Sequence, residues 1–370
     1  MSEETIYQRL EKNGVSRRDF LKLCGTLVGA MGLAAPPLEG SGLPGHLRAE
    51  DKTIRKVARA LESKARIPVI WLEFQDCAGC SEALTRSQSP TLIDLVLNTI
   101  SVEYHETLTA AAGHQTEENK QSIMKQYAGQ YVLVVEGSIP MALGGAYCTI
   151  GGRSAIDILE EAAAGAAAII STGNCAAFGG LPKANPNPTD AKGVWELITD
   201  KPVVNIPGCP AIPEVFTGTL AHFVIFGGLP ELDDLNRPVT FYGKTIHDRC
   251  LRRPFYEAGK FANTFDDEGA KQGWCLYKLG CKGPTTHNAC ATIKWDAGLS
   301  FPVQSGHPCL GCSEPDFWDG GGFYQGQSAP LNRPAATAVG AAIGAGAVVG
   351  AAMAANNSAQ KKRAAQASEE

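Results

Sequence analysis

Short apolar runs recur along the first 235 residues and alternate with stretches of helical periodicity. The last three runs are rich in β-branched or small apolar side chains, as expected for parallel strands that are buried on both faces. Alternating strands and helices predict an α/β fold built on a flavodoxin-like, doubly wound parallel sheet. The predicted strands are 68–74, 131–135, 167–171 and 202–206, and the predicted helices include 91–99, 117–127 and 154–164.

The pattern changes near residue 236. Residues 236–330 lack long periodic segments and are crowded with glycine, proline, aromatic residues and cysteine. Such a segment cannot build much of a core from strands and helices, so inorganic clusters would have to hold it together. We therefore expect a flavodoxin-like domain over 50–235, which begins with a charged, helix-prone lead-in, and a smaller irregular iron–sulfur domain over 236–330.

Residues 1–49 have the layout of an export leader. The motif SRRDFLK at 16–22 precedes an uncharged stretch at 23–37, which resembles a twin-arginine (Tat) signal peptide. The alternative is a short amphipathic helix with two adjacent arginines, and two cleavage regions are open, at 34–35 and at 47–49. The Tat translocase exports folded proteins, so the resemblance implies a periplasmic protein whose cysteines bind metal before they meet an oxidant.

A second uncharged stretch lies near the other end of the chain. Residues 335–355 form 21 positions without a charge, enough at about 1.5 Å per residue to cross a bilayer core of about 30 Å. Basic residues at 361–363 follow, which places the tail at 356–370 in the cytoplasm and the main body outside. The sequence thus predicts a C-terminal transmembrane helix that anchors the protein to the periplasmic face of the inner membrane. The alternative is a low-complexity Ala/Gly linker.

Length and charge limit the possible partners. A chain of 370 residues corresponds to about two domains. Its net charge of −5 provides no basic field, which argues against nucleic acid as a partner. Eleven of the 12 cysteines lie downstream of the leader, and an exported protein would ordinarily pair them as disulfides. Their spacing points to metal instead.

Cysteines follow three of the four predicted strands within a few residues. Because the carboxyl ends of parallel strands form one rim of the sheet, these distant cysteines should converge there. Four thiolates flanked by glycines suit a 4Fe-4S cluster. A single C-x-x-C would fit a redox dithiol, half of a zinc site or two buried cysteines equally well. The members of this first group are Cys77, Cys80, Cys175 and Cys209.

The remaining cysteines form two further sets. One histidine with three cysteines can ligate a 4Fe-4S cluster or zinc. Three thiolates without an obvious fourth suit a 3Fe-4S cluster, and the alternative is a zinc site completed by His287 or His307. Cys148 is left over and is interpreted as a buried structural residue. The first set is His247, Cys250, Cys275 and Cys281, and the second is Cys290, Cys309 and Cys312.

In combination, these motifs resemble the small subunit of a membrane-bound, periplasmic NiFe hydrogenase. The resemblance covers roughly residues 65–325 and rests on CAGCSE at 77–82, EGSIP at 136–140, GNC at 173–175 and PGCP at 207–210. It implies two 4Fe-4S clusters and one 3Fe-4S cluster, all bound through iron. The implied ligands are Cys77, Cys80, Cys175 and Cys209 for the proximal 4Fe-4S cluster, His247, Cys250, Cys275 and Cys281 for the distal 4Fe-4S cluster, and Cys290, Cys309 and Cys312 for the medial 3Fe-4S cluster.

The resemblance also implies a reaction and its partners. Hydrogen is converted reversibly to protons and electrons at a nickel–iron site in a separate large subunit, and the C-x-x-C pairs of this chain, at 77–80 and 309–312, are assigned instead to iron–sulfur clusters. This chain then has no catalytic residue of its own and relays electrons from the proximal through the medial to the distal cluster. The implied acceptor is a membrane cytochrome b or another quinone-linked electron-transfer subunit.

Two glycines bear on whether the protein tolerates oxygen. Oxygen-tolerant members of the family carry two additional cysteines at the proximal cluster, and the matching positions here are Gly79 and Gly180. The resemblance therefore implies the standard, oxygen-sensitive type. Two other interpretations stay open at this stage. One is a quinone-reductase-like iron–sulfur subunit, against which the second and third cysteine sets count, and the other is a zinc-stabilised, exported, membrane-anchored binding protein.

Overall fold

A central parallel sheet dominates the computed structural model, which describes residues 4–33, 51–88, 90–321 and 323–325. Within these residues the sheet has five strands, and two short antiparallel pairs lie outside it. The strands are β1 (Ile67–Glu73), β2 (Ile100–His105), β3 (Val132–Glu136), β4 (Ile139–Pro140), β5 (Thr149–Ile150), β6 (Arg153–Ser154), β7 (Ala168–Thr172), β8 (Ala191–Lys192) and β9 (Val203–Ile206).

The strand order of the sheet is β2-β1-β3-β7-β9, and every neighbouring pair is parallel. This order is the 2-1-3-4-5 arrangement of flavodoxin-like folds, in agreement with the α/β sheet predicted from the sequence. Four of the strands coincide with predicted runs. The edge strand β2 was not predicted, because it contains no continuous apolar run and is partly exposed over three of its six positions.

Helices cover both faces of the sheet. The predicted helix at 91–99 is a single α-turn that continues as a π-helix over Leu95–Thr99, whereas the other two predicted helices lie within one to three residues of the expected bounds. The α-helices are α1 (Ile6–Lys12), α2 (Arg17–Ala30), α3 (Asp51–Ser63), α4 (Gly79–Leu84), α5 (Leu92–Asp94), α6 (His114–Gln126), α7 (Ala155–Ala164), α8 (Gly173–Phe178), α9 (Gly180–Lys183), α10 (Val194–Leu197), α11 (Pro213–Phe226), α12 (Val239–Tyr242), α13 (Arg253–Glu257) and α14 (Glu268–Lys271).

Two apolar cores lie on opposite faces of the sheet. Successive side chains of a strand point to opposite faces, so Val69 and Trp71 of β1 join one core while Ile70 and Leu72 join the other. These side chains are at most 3% exposed. This double burial explains why the central strands read as continuous apolar runs.

The segment that carries the twin-arginine motif packs on the body of the protein. Phe20 and Cys24 of α2 are fully buried in the same core as Leu61 of α3 and Leu220 of α11. A Cβ atom added at Gly218 of α11 would lie 2.1 Å from the carbonyl oxygen at the end of α2. The two helices can therefore pack this closely only because residue 218 has no side chain. The export leader stays a prediction, and its helices pack as part of the folded chain.

The second cysteine-rich region has only short helices among its described residues. Apart from α12, α13 and α14, it contains single 3₁₀ turns at His247–Arg249, Tyr277–Leu279, Gly283–Thr285 and Ala289–Ala291. A small separate core, which includes Ile246, Leu276 and Phe301, lies among the cysteines of this region. The limited apolar core agrees with the expectation that bound clusters hold this region together.

The predicted transmembrane helix requires correction. No helix in the described ranges is long and apolar enough to cross a membrane. The longest, α2 and α11, have 14 residues each and therefore span about 21 Å, short of a hydrocarbon core of about 30 Å. The stretch at 335–355 and the tail at 356–370 lie outside the described residues. The anchored location at the membrane, which depended on that helix, is withdrawn with it.

Candidate metal centres

The first cysteine group lies at the carboxyl rim of the sheet, as predicted. The chain leaves β1 and reaches Cys77 and Cys80 at the start of α4, whereas Cys175 lies in α8 directly after β7. Cys209 follows the end of β9. The parallel topology thus brings together residues that are up to 132 positions apart in the sequence, from 77 to 209.

The electrostatics of these thiols show that they are close neighbours. Burial raises the pKa of Cys80 well above its usual range, and the charges of Cys175 and Cys209 raise it further. Burial also raises the pKa of Cys175 to about 12, with contributions from Cys209 and Cys77. Four mutually repelling thiolates require a compensating positive charge, which iron ions supply.

Glycines allow the backbone to pass close to the thiols of the first group. Gly173 has φ +83°, and a Cβ atom there would lie 2.4 Å from Cys80 Sγ. Gly180 has φ +55°, and its Cβ would lie 2.5 Å from Cys175 Sγ. At Gly79 the corresponding distance to Cys77 Sγ is 3.0 Å. Any side chain at the first two positions would displace a thiol.

Glu136 fixes the C-x-x-C segment from the strand that carries no cysteine. Its Oε1 accepts a hydrogen bond from the backbone N–H of Cys80 at 2.9 Å. Its Oε2 accepts from the backbone N–H of Ser81 at 3.0 Å and from Ser81 Oγ at 2.6 Å. Sequence reasoning missed this residue, although a glutamate at the end of the apolar run VLVVE was a usable signal, because a buried carboxylate needs donors.

Three carboxylates lie beside this segment. Ligand atoms of Glu73, Asp76 and Glu136 all lie within 4.8 Å of one another. Burial, together with the charges of Glu136 and Glu73, raises the pKa of Asp76 to about 7. Burial and the charge of Glu136 likewise raise the pKa of Glu73. The thiols of the first group therefore face a cluster of acidic residues on one side.

The second group surrounds a single cavity. His247, Cys250, Cys275 and Cys281 all line it. Burial raises the pKa of Cys275 to about 11 and that of Cys281 to about 12, and in each case the charge of Cys250 contributes. The structure thus brings together the four residues that the sequence assigned to the distal site.

The three cysteines of the third group are each half-buried. Burial raises the pKa of Cys309 to about 12, and the charge of Cys312 raises it further. Burial and the charges of Cys312 and Cys309 also raise the pKa of Cys290. Of the two histidines that could complete a zinc site, His307 has contacts at both ring nitrogens, with the carbonyl of Pro308 at 2.8 Å and the hydroxyl of Tyr324 at 3.1 Å. His287 Nδ1 contacts Glu314 at 3.1 Å.

Hydrogen bonds connect the three groups in a fixed order. The backbone N–H of Cys309 donates to Cys281 Sγ at 3.3 Å, which joins the third group to the second. Asn174, next to Cys175 of the first group, donates from its side-chain amide to the carbonyl of Cys312 at 3.1 Å, which joins the first group to the third. The third group therefore lies between the other two.

The spacing of the ligands distinguishes clusters from single ions. Thiolates around one tetrahedral zinc ion, with Zn–S of about 2.3 Å, lie about 3.8 Å apart. Within the described ranges, no three cysteine or histidine ligand atoms lie within 4.8 Å of one another. The donor sets therefore fit multi-iron clusters, which hold their ligands farther apart than one metal ion does. The sites have sulfur donors, lie among short helices and are lined by glycines. These features are typical of an iron–sulfur electron-transfer protein.

Comparison with known proteins identifies the family. A family model for the C-terminal part of the NiFe/NiFeSe hydrogenase small subunit matches residues 242–325. A second, described as "NADH ubiquinone oxidoreductase, 20 Kd subunit", matches residues 77–223. The second match reflects the relation to quinone reductases at the first cysteine group, and the first match covers the two further groups.

Relatives extend the similarity over most of the chain. The Hydrogenase-1 small chain of Citrobacter freundii is 48% identical over 323 residues, which are 87% of this chain and 82% of that protein. The uptake hydrogenase small subunit of Alcaligenes hydrogenophilus is 45% identical over 371 residues, covering 98% of each. The NiFeSe hydrogenase of Desulfomicrobium baculatum has a solved chain with a TM-score of 0.67 and 35% identity, covering 71% of this chain and 100% of that one.

The chain belongs to the family of small subunits of NiFe uptake hydrogenases. It is therefore the electron-transfer subunit of an oxidoreductase complex, and the large subunit that carries the active site is its partner. Family membership sets aside the zinc-stabilised binding protein and the quinone-reductase-like subunit that the sequence had left open.

Proposed function

We propose that this chain carries electrons between the large subunit and an external acceptor through three clusters. A 4Fe-4S cluster would be held by the first group, a 3Fe-4S cluster by the third group and a second 4Fe-4S cluster by the second group. The observation that carries this proposal is the pair of hydrogen bonds that link the groups in series, from the Cys309 N–H to Cys281 Sγ and from the Asn174 amide to the carbonyl of Cys312. When bound, the clusters supply one-electron redox chemistry.

The residues of this chain hold and tune the clusters. Cysteine thiolates supply the charge that binds iron, and Glu136 orients the segment that presents Cys80. Replacement of one thiolate by the neutral imidazole of His247 makes the distal cluster less negative and should raise its potential.

The proximal cluster is proposed to be an ordinary cubane. Support comes from Gly79 and Gly180, where tolerant members of the family have cysteines. An added Cβ at Gly180 would lie 2.8 Å from the Cα of Cys175 as well as 2.5 Å from its Sγ, so this backbone has no space for a fifth or sixth thiolate. We expect an oxygen-sensitive enzyme whose proximal cluster undergoes one oxidation step. A second oxidation step in redox-titrated EPR would contradict this assignment.

The remaining partners stay predictions. The Tat translocase would export the folded complex, and a quinone-linked subunit such as a cytochrome b would accept electrons from the distal cluster. Both follow from the resemblance and the leader motif at 16–22.

Metal analysis of the complex tests the proposal. Anaerobic purification of the chain with its co-eluting large subunit should give about eleven irons per small subunit from two cubanes and one 3Fe-4S cluster, together with hydrogen-dependent dye reduction. Cys250→Ser should remove only the distal signal in EPR, and Cys148→Ser is the matched control that leaves all three signals in place. Two or three zinc ions per chain, with no iron, would refute the assignment.

A further inference from the structure

Arg252 is a buried cation without a carboxylate partner in the described part of the chain. The residue is 6% exposed. Its Nε donates to the carbonyl of Val303 at 2.8 Å, and its Nη1 donates to the carbonyl of Trp274 at 2.8 Å. Its Nη2 donates to the carbonyl of Gln304 at 3.5 Å. Neutral carbonyls satisfy the N–H groups but leave the charge uncompensated, and an uncompensated buried charge is costly unless a site uses it.

Arg252 lies beside the second cysteine group. It lines the same cavity as the four residues of that group, and its backbone N–H donates to Cys250 Sγ at 3.4 Å. Its side chain bonds to the carbonyl of Trp274, the residue directly before Cys275. A buried positive charge is therefore part of the wall of this site.

We propose that Arg252 raises the reduction potential of the cluster held by His247, Cys250, Cys275 and Cys281, an inference that rests on the function proposed above. Reduction adds one negative charge to a cluster, and a fixed positive charge in a low-dielectric interior stabilises the reduced form. Arg252 touches no reacting atom, so it is a tuning residue rather than a catalytic one. It acts in the same direction as His247 and makes the end of the path a better electron acceptor.

A purely structural role predicts different behaviour. The hydrogen bonds of Arg252 tie residues 303 and 304 to the segment that precedes Cys275, so its loss could also loosen the cavity. Charge and hydrogen bonding can be separated by substitution, because Arg252→Lys keeps the charge and loses the planar set of donors. Arg252→Gln keeps an amide donor and loses the charge.

Two other residues provide a control and an independent variant. Lys271 of α14 is exposed and lies outside the lining of the cavity, so Lys271→Gln removes a positive charge from the surface of the same region. Gln304 has a buried Oε1 without a hydrogen-bond partner among the described residues, and its backbone carbonyl accepts from Arg252. Gln304→Glu keeps its size and adds a negative charge at that position, while Arg252 stays intact.

The experiment is an EPR-monitored redox titration of the distal cluster in the purified complex with the large subunit. Arg252→Gln should lower the one-electron midpoint potential by a tenfold change in the reduction equilibrium, about 59 mV. Arg252→Lys should keep more than half of that difference, and Gln304→Glu should lower the potential in the same direction. Lys271→Gln should leave the potential unchanged.

The outcomes separate the effect of the charge from a loss of hydrogen bonds alone. An unchanged potential in Arg252→Gln overturns the inference, and so does an equal fall in Arg252→Lys and Arg252→Gln. If the Arg252→Gln variant fails to assemble the cluster, the Gln304→Glu variant provides the test. An unchanged midpoint potential in that variant would also overturn the inference. Absence of any distal signal in the wild-type complex would instead refute the cluster assignment of the proposed function.

Discussion

The backbone N–H of Cys309 donates a hydrogen bond to Cys281 Sγ at 3.3 Å. These two residues belong to different cysteine groups, so this contact is a direct connection between the third group and the second. The donor is a main-chain atom, and its position depends on the fold rather than on the identity of the side chain. The contact should therefore survive a change of side chain at position 309.

Replacement of Cys309 by serine should remove one cluster and spare its neighbour. Cys309→Ser deletes a ligand of the third group and keeps the N–H that bonds to Cys281. We expect the 3Fe-4S signal to disappear from the EPR spectrum while the distal 4Fe-4S signal keeps its midpoint potential. Cys281→Ser is the reciprocal variant and should remove the distal signal. Simultaneous loss of both signals in Cys309→Ser would show that the groups do not assemble independently.

Replacement of Glu136 by glutamine should destabilise the first site. One carboxylate accepts three hydrogen bonds from Cys80 and Ser81, and an amide has only one oxygen with which to accept them. We expect a loss of about 1–3 kcal/mol in unfolding free energy, together with a lower pKa of Asp76, because the charge of Glu136 helps to raise it. Anaerobic denaturant unfolding measures the first effect. Glu160→Gln, at an exposed position of α7, should have neither effect.

Glu106 should make the stability of the protein depend on pH. Burial and the charge of Glu73 raise its pKa from an ordinary 4.5 to about 8. The folded state therefore holds a proton that the unfolded state releases, and its contribution is present below about pH 4.5 and is lost as the pH rises through about 8. Glu106→Gln should flatten this fall, which is on the order of a few kcal/mol.

Thermal unfolding of the holoprotein between these pH values tests the Glu106 prediction. Glu118→Gln, on the exposed face of α6, should retain the wild-type slope. An identical slope in Glu106→Gln and wild type would assign the pH dependence to other groups.

Two glycines with similar backbone angles should respond differently to alanine. Gly180 has φ +55° and no space for a Cβ beside Cys175, whereas Gly151 has φ +59° and nothing within 4 Å of an added Cβ. Both variants incur the strain of a left-handed residue, about 1–3 kcal/mol. Gly180→Ala should in addition lose the proximal cluster, measured as iron content and EPR signal. Full iron content in Gly180→Ala would mean that the thiol can move aside.

Gly218 should control the docking of the N-terminal helices. An added Cβ there would lie 2.1 Å from the carbonyl oxygen of Ala30, so Gly218→Ala should displace α2 from α11. In a chain that retains residues 4–33, we expect faster limited proteolysis of α1 and α2. Gly228→Ala, where nothing lies within 4 Å, should be cleaved at the wild-type rate. Equal protection of both variants would show that the helices are held mainly by their other contacts.

The sequence predicted the central sheet better than its edge. β3, β7 and β9 are buried on both faces, so each reads as an apolar run and was recognisable. The strand β2 pairs with β1 alone, and its second to fourth positions are partly exposed. Its sequence ISVEYH alternates apolar and polar residues, so a search for continuous apolar runs does not find it.

Ligands were easier to predict from the sequence than the residues that support them. Cysteine spacing and the family resemblance together predicted the members of the three groups, and the structure brings the members of each group together. Glu136 was part of a motif but had no predicted role, and Arg252 was not singled out. Their roles depend on which backbone N–H groups and carbonyls lie nearby, and those positions exist only after the chain has folded.

The contacts of Cys312 also bear on when the protein can mature. Asn174, beside a ligand of the first group, bonds to the carbonyls of Cys312 and Glu314 at 3.1 and 3.0 Å. A ribosome must therefore synthesise most of the chain before the surroundings of its earliest cysteines are complete. Cofactor insertion is accordingly a late event. A chain truncated at residue 300 would lack the residues near Cys312 that surround the first cysteine group.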